Sequence, residues 1–419
     1  MDTIFALASA RGKAGVSVIR VSGSDALRIC ERLCKLPRKR KLLPLVWNGK
    51  ILDEALVLVF AQGKSFTGED VVELHTHGSI AVVDAVSRAL SAAGARMAEP
   101  GEFTRRALEN NQIDLAQVEG LSDLIEAETE LQRSQALSLM QGNLSDKVES
   151  WRRQLIRAAA LIEATIDFAD EDVPTDVTLE VGELLKRIQK DFLAEINGSY
   201  VAERIRDSFE VAIVGPPNIG KSTLLNCLAG REAAITSAVA GTTRDIIEIR
   251  MDLNGIPLTL LDTAGLRMSD DTVEKIGVAR ALERAESADI RVFLTEDGII
   301  PAGLENKPGD VILLGKQDQG NGVSGITGNG VPELLKALTH ELGNRASHAR
   351  SAVRTRHRLA MENSNTYIQK AVNLLDQDAD AELIAQEVRC ALMSVDAVTG
   401  KVGVEDILDE IFSSFCLGK

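Results

Sequence analysis

The run Gly215-Pro-Pro-Asn-Ile-Gly-Lys221-Ser222 fits the pattern GxxxxGK[ST], and its residue types dictate what it can hold. Glycines let backbone N–H groups turn inward on phosphate oxygens, and a following helix start favours negative charge. A lysine at the position of Lys221 reaches the β- and γ-phosphates, and a hydroxyl at Ser222 ligates Mg²⁺. The context suits the motif, because FEVAIVG before it reads as a buried strand and the residues after it as a helix. Main-chain amides between Gly215 and Thr223, including those of Asn218, Ile219 and Gly220, are the predicted triphosphate cradle.

Further elements follow in the order that a guanine-nucleotide hydrolase requires. Gly241-Thr242-Thr243-Arg244-Asp245 supplies Thr243 as a second Mg²⁺ ligand. Asp262-Thr263-Ala264-Gly265 closes the apolar run PLTLLDTAG; Asp262 suits water-mediated support of the metal, and the Gly265 N–H can meet the γ-phosphate. Each alone could be an ordinary turn, but the ordered set is specific. In ILLGKQD, Asp318 accepts from guanine N1–H and the 2-amino group, and the Lys316 stem covers the ring. Such motifs usually begin with asparagine, and Gly315 stands there instead. The lost amide contact is worth about 1–3 kcal/mol, so weak GTP affinity with guanine preference retained is expected, with Ser324 and Gly325 as the last base contacts. Leu266, after DTAG, cannot orient water as a glutamine does. Either hydrolysis is negligible or another polar group, for which Glu274 is the candidate, takes that role.

The elements that must position these groups span 419 residues, which suggests two or three domains. Residues up to about Leu115 read as mixed α and β, with strands in VSVIRVSG and ALVLVF and a helix from Ala81 to Ala93. Leu115 to Phe168 has helical spacing, broken at Asp170 to Pro174. A second amphipathic helix places Leu185, Ile188 and Phe192 on one stripe. From Phe209 strands alternate with helices to about Leu342, as in a parallel α/β sheet, and helix returns beyond Ala346. The chain therefore reads as multidomain: an α+β domain over 1–115, an all-α helical domain over 116–207 and 346–419, and an inserted Ras-like α/β P-loop domain over 208–345.

Composition narrows the function classes. Apolar residues are 45% and aromatic ones 3%, a mix that favours helices and aliphatic packing. The net charge of −15 argues against nucleic-acid binding by bulk electrostatics, so any RNA needs a local basic patch or a basic partner. The cysteines Cys30, Cys34, Cys227, Cys390 and Cys416 lack metal-binding spacing and read as reduced thiols in a cytosol. The start lacks a signal peptide's apolar region. No apolar run approaches about eighteen residues, so the expectation is a cytoplasmic protein with no membrane span.

The set GPPNIGKST, AGTTRD, DTAGLR and terminal FCLGK, with Phe66-Thr-Gly-Glu-Asp-Val-Val-Glu73, closely resembles the MnmE (TrmE) family of tRNA-modification GTPases over essentially the whole chain. That resemblance implies an N-terminal tetrahydrofolate-binding domain and a Ras-like domain inserted into a helical one. It also implies a homodimer whose nucleotide domains meet in the GTP state around K⁺ in place of an arginine finger. Asn218 matches the family's K⁺ ligand, with Thr242 and the carbonyls of Ser237 and Val239 completing that site. The segment from Ser237 through Ala238, Val239, Ala240 and Gly241 to Thr243 then belongs to the nucleotide site. Glu274 falls on the family's water-orienting glutamate. With an FAD-containing partner, MnmG, in a heterotetramer, the family modifies carbon 5 of the tRNA wobble uridine, giving an aminomethyl or carboxymethylaminomethyl group. The carbon comes from a 5-formyl or 5,10-methylene tetrahydrofolate. Arg20, Glu73 and Lys419 match folate contacts, and Gln112 stands where some members carry a folate-binding lysine. A ribosome-assembly GTPase and a nucleotide-gated scaffold with little hydrolysis are the alternative readings.

Weaker features read more blandly. His75 and His77 share a strand face, without further metal ligands placed nearby in sequence, and suit structural or pocket-lining roles. Cys416 is a nucleophile or a packing group, with no activating histidine visible. The basic run Arg38 to Lys41 reads as a solvated loop. The stretch from Leu131 to Leu161 reads as core helix rather than partner groove.

Overall fold

The computed structural model describes residues 2–38, 40–167, 177–230, 248–262, 283–300 and 304–402, together with 412, 415 and 418. The chain divides into two compact units, Met1–Ser122 with Asp396–Lys419, and Asp123–Val395.

The first unit is built on strands β1 (Ile4–Leu7), β2 (Ala14–Ser22), β3 (Lys41–Trp47), β4 (Lys50–Phe60), β5 (Val71–Gly78) and β6 (Arg96–Met97). They order as β3-β4-β5-β2-β1-β6, antiparallel except for β1 with β6. The period of two in strands assigns the faces. Ile19 and Val21 of β2 and Val72 and Leu74 of β5 are buried in the main core, under helices α1 (Ala26–Glu31) and α2 (Ile80–Ala93). Helix α2 starts where the Ser79 hydroxyl accepts from Val82 N and stops at left-handed Gly94, and between them Val86, Ala89, Leu90 and Ala93 form its buried stripe. The alternate residues, Arg20 and Glu73 among them, lie on the opposite face. There Ile4, Ala6, Ala98 and Phe103 make a smaller core with helix α3 (Glu102–Glu109). The basic run is not all loop, since Lys41 opens β3 and pairs with Val57. Arg105 lies over the Phe412 ring at 5.0 Å, and Gly418 packs on Leu7 and Ala8 so closely that a Cβ would overlap the Leu7 carbonyl.

Helix α4 (Leu115–Glu126) leads out of that unit, and the expected long helix is interrupted twice thereafter. Thr129 forms a capping box with Gln132 to start α5 (Glu130–Met140). Left-handed Gly142 then precedes α6 (Asn143–Asp167). Helix α7 (Val177–Asp207) buries the expected stripe of Leu185, Ile188 and Phe192, and Trp151 meets Phe192 edge-on at 4.7 Å.

After α7 the second unit becomes a sheet, with β7 (Phe209–Val214), β8 (Glu248–Leu253), β9 (Ile256–Asp262), β10 (Ile290–Thr295) and β11 (Val311–Leu314) in the order β11-β10-β7-β9-β8. The pairs β10/β11, β7/β10 and β7/β9 are parallel. β8 departs from the all-parallel expectation: Asn254 and Gly255, both at positive φ, turn it into an antiparallel hairpin with β9. Helices α8 (Lys221–Ala229) and α9 (Val331–Ala346) complete its core. Helices α10 (Thr355–Asp376) and α11 (Ala381–Asp396) follow. Arg358 of α10 bonds Glu203 of α7 at 2.8 Å and lies 4.2 Å over the Tyr200 ring. Helices before and after the sheet therefore pack together, as an inserted P-loop domain requires.

Candidate active site

Strands of an open α/β sheet deliver ligands to their carboxyl ends, and β7 ends at Val214, immediately before the phosphate loop. Gly215 is sterically required, because a Cβ there would overlap the Leu294 carbonyl of β10. Asn218 and Gly220 have positive φ, 61° and 107°, which curls the loop before α8 begins at Lys221. Lys221 is 6% exposed, and its ammonium donates to the carbonyls of Gly215 and Pro216 at 2.8 and 2.9 Å. A buried charge needs such partners, and these hold the side chain inside the loop. β9 runs parallel beside β7 with Asp262 level with Ile213, so the DTAG motif starts at the same sheet edge.

One cavity of about 480 Å³ joins the phosphate loop to the base motif. It is lined by Asn218 to Leu224 on one side and by Lys316, Asp318, Ser324 and Gly325 on the other. Lys316 is left-handed, with φ 57°. The Ser324 hydroxyl donates to Asp318 Oδ1 at 2.7 Å while accepting from the Ile326 and Thr327 amides at 3.2 Å each. The Ser324 side chain is thus engaged with Asp318. Gly315 is buried against the phosphate loop; a Cβ there would stand 2.7 Å from Ile219 Cγ1 and 2.8 Å from the Ile219 carbonyl oxygen. The space where a motif asparagine would begin is filled by Ile219.

The cavity fits the groups expected of it. Ser222 and Asn218 present oxygen donors, the class that binds Mg²⁺ and K⁺, and Asp318 presents an acceptor-only carboxylate. Ser237, Ala238, Val239, Ala240, Gly241, Thr242, Thr243, Thr263, Ala264, Gly265 and Glu274 lie outside the described residues, as does the Asp262 side chain.

A second cluster gathers on the open face of the first unit. Arg20 and Glu73 are direct register partners on β2 and β5, with Arg20 Nε and Nη2 each 3.0 Å from Glu73 Oε1. His75 Nε2 lies 3.2 Å from Glu73 Oε2, whereas His77 pairs with Asp53 at 2.7 Å. The Arg20 guanidinium also lies 5.8 and 5.7 Å from the Phe66 and Phe103 rings. Neither ring was signalled by motif or spacing. Each carboxylate oxygen keeps lone-pair capacity beyond these bonds, so the cluster still fits a ligand with donor edges. Gln112 donates to Asn110 O at 3.1 Å and packs on Gly68, beside the Phe66–Glu73 segment. Glu69 of that segment accepts from Ser22 at 2.7 Å and from Arg106 at 3.2 Å. Arg106 also bonds Asp2, whose carboxyl the Arg96 and Arg106 guanidiniums hold down at about 2. Lys419 and Cys416 lie outside the described residues.

Known proteins match along the whole chain. A family profile described as the TrmE N-terminus of a GTP-binding protein matches residues 3–112, and one described as the MnmE helical domain matches 115–416. Proteins named tRNA modification GTPase MnmE are 56% identical in Cereibacter sphaeroides, 54% in Dinoroseobacter shibae and 47% in Paracoccus denitrificans, each alignment covering 100% of both chains. Among solved structures, the Schizosaccharomyces pombe YchF GTPase covers 50% of this chain and 64% of its own at 16% identity and a TM-score of 0.16, too loose to carry an argument. A phosphate loop and base motif on one cavity, a helical domain folded around them and full-length identity above half lead to one assignment: the chain belongs to the MnmE family of tRNA modification GTPases.

Proposed function

We propose that the protein hydrolyses GTP as a switch within the enzyme that modifies carbon 5 of the tRNA wobble uridine. The observation that carries this reading is the single cavity shared by Lys221 and Asp318, the two ends of a guanosine triphosphate. Water attacks the γ-phosphorus, GDP leaves, and phosphate departs with the oxygen that water brought. Lys221 and the first-turn amides of α8 stabilise charge on the transferring group. Ser222 and Thr243 hold Mg²⁺. Asn218, Thr242, Ser237 and Val239 hold K⁺, which supplies positive charge at the phosphates where an arginine finger is absent. Glu274 orients the water, a role closed to Leu266. The three-domain division at residues 1–115, 116–207 with 346–419, and 208–345 is part of the same reading.

The relatives' printed activity, with the Arg20–Glu73 cluster, supports a one-carbon role for the first domain. Glu73 suits the donor edge of a pterin and Arg20 its acceptors, with Gln112 and Lys419 at the rim of a 5-formyl or 5,10-methylene tetrahydrofolate. Two copies of the chain act with an FAD-containing partner, MnmG, on tRNA in the cytoplasm. Hydrolysis by the full chain is expected to run faster in K⁺ than in Na⁺, and Lys221→Ala is expected to lower kcat/KM by about a hundredfold or more. Equal rates in the two salts with dimerisation intact would remove the cation mechanism. Wobble nucleosides unchanged by mass spectrometry in cells lacking the gene would remove the tRNA role.

A further inference from the structure

The loop that carries Asp318 leaves β11 with little regular structure to hold it. Gly315 N donates to Thr295 O at 2.9 Å and Val323 N to Leu314 O at 2.8 Å. Between those anchors Lys316, Gly320 and Gly322 all adopt positive φ. A carboxylate on such a loop must be braced if it is to meet two donors of a base in fixed geometry.

The brace comes from Asn329. Its Nδ2 donates to Gln317 O at 2.9 Å and to Gly320 O at 3.1 Å, one carbonyl on each side of Asp318. Both partners are acceptors, so only the NH₂ half of the amide can face them. The Asn329 main-chain carbonyl in turn accepts from Ser324 N at 3.0 Å, and Ser324 is the residue whose hydroxyl holds Asp318 Oδ1. Gly330, left-handed with φ 67°, sits so close to Gly322 that a Cβ would overlap the Gly322 carbonyl, which keeps Asn329 against the loop. Asn329 thus fixes the main chain flanking Asp318 and, through Ser324, its carboxylate.

We infer that Asn329 is a positioning residue for guanine selection, bracing the base loop from behind where Gly315 offers no side chain to tie it to the phosphate loop. The inference rests on the GTPase reading above. Asn329 acts through Asp318 and does not itself touch the base.

The test compares GDP with inosine diphosphate, which lacks the 2-amino group that Asp318 accepts. The full-length chain is expected to prefer GDP, and Asn329→Ala and Asn329→Asp each to shrink that preference by about fivefold, the share of one well-aligned hydrogen bond. Aspartate matches asparagine in size but lacks the donors, so the second variant separates the hydrogen bonds from simple bulk. In an Asp318→Ala background the Asn329 substitutions are expected to change the ratio no further. An unchanged GDP-to-inosine-diphosphate ratio in folded Asn329→Ala and Asn329→Asp overturns the inference, as does an equal weakening of both nucleotides. Should the unaltered chain bind neither diphosphate, the GTPase reading itself falls.

Discussion

Restoring the asparagine that base motifs usually carry should weaken nucleotide binding in this protein rather than strengthen it. At Gly315 a new Cβ would lie 2.7 Å from Ile219 Cγ1, 2.8 Å from the Ile219 carbonyl oxygen and 3.1 Å from Cδ1. The side-chain atoms can rotate away at modest cost. The carbonyl cannot, because it belongs to the phosphate loop between left-handed Asn218 and Gly220. Overpacking of this kind costs about 1–3 kcal/mol, whereas one recovered hydrogen bond returns only about 0.5–1.5 kcal/mol. The balance for Gly315→Asn is a loss of about 1 kcal/mol, or roughly fivefold in Kd. Gly315→Ala, which brings the clash without the amide, should lose at least as much. Equilibrium titration with a fluorescent GDP analogue reads both, and thermal melts check that the domain stays folded. A Gly315→Asn protein that bound GDP more tightly than its parent would show that Ile219 yields, and the steric reasoning would be wrong.

Two further outcomes follow from buried groups. Arg291 and Asp310 are 2% and 3% exposed. Burial pushes the Asp310 carboxyl up, but the Arg291 guanidinium and the Lys307 and Arg291 amides outweigh it and leave the group below its ordinary value. Such a pair stabilises the fold above the unfolded pKa of 3.8 and less as pH falls through the lowered folded value. In urea melts Asp310→Asn should therefore lose about 3–5 kcal/mol at pH 7, with the deficit narrowing below about pH 4; a deficit independent of pH would mean the charge is not what matters. Burial also raises the Cys30 thiol strongly and lifts Cys34 to about 11. Native alkylation at mild alkaline pH should modify partly exposed Cys390 and Cys227 well before either, and peptide mass spectrometry showing Cys30 labelled at the rate of Cys390 would contradict the packing of the first core.

Contiguity decided what could be read in advance. The phosphate loop packs its lysine, serine and glycines into one short run between a strand and a helix, so composition and order alone expose it. Arg20 and Glu73 were visible only through resemblance. Their pairing depends on the β2/β5 register across an intervening hairpin, which no local pattern specifies. Asn329 was missed because its partners are main-chain carbonyls, which leave no trace in side-chain type. Residues 115–168 kept helical spacing through both breaks, and capping at Thr129 and the left-handed Gly142 outweighed that periodicity. The antiparallel β8 was likewise hidden, since alternating strands and helices announce a sheet without fixing the direction of an edge strand.

The hairpin that spoiled the all-parallel expectation has a structural consequence. At its turn, Gly255 O accepts from Leu131 N at the start of α5 with a distance of 3.0 Å, and Arg250 of β8 approaches Glu128 at 3.8 Å. Beside it, the Gln132 amide donates to Arg206 O near the end of α7 at 3.0 Å. β9 then runs from Ile256, next to that contact, to Asp262, a span of roughly 20 Å at the usual rise of a strand. One continuous strand, paired on both sides by β7 and β8, therefore has its first residue beside the helical domain and its last at the nucleotide edge. A parallel β8 would have required a long crossover in place of the turn, and with it the direct bond from Gly255 to the first turn of α5 would be lost.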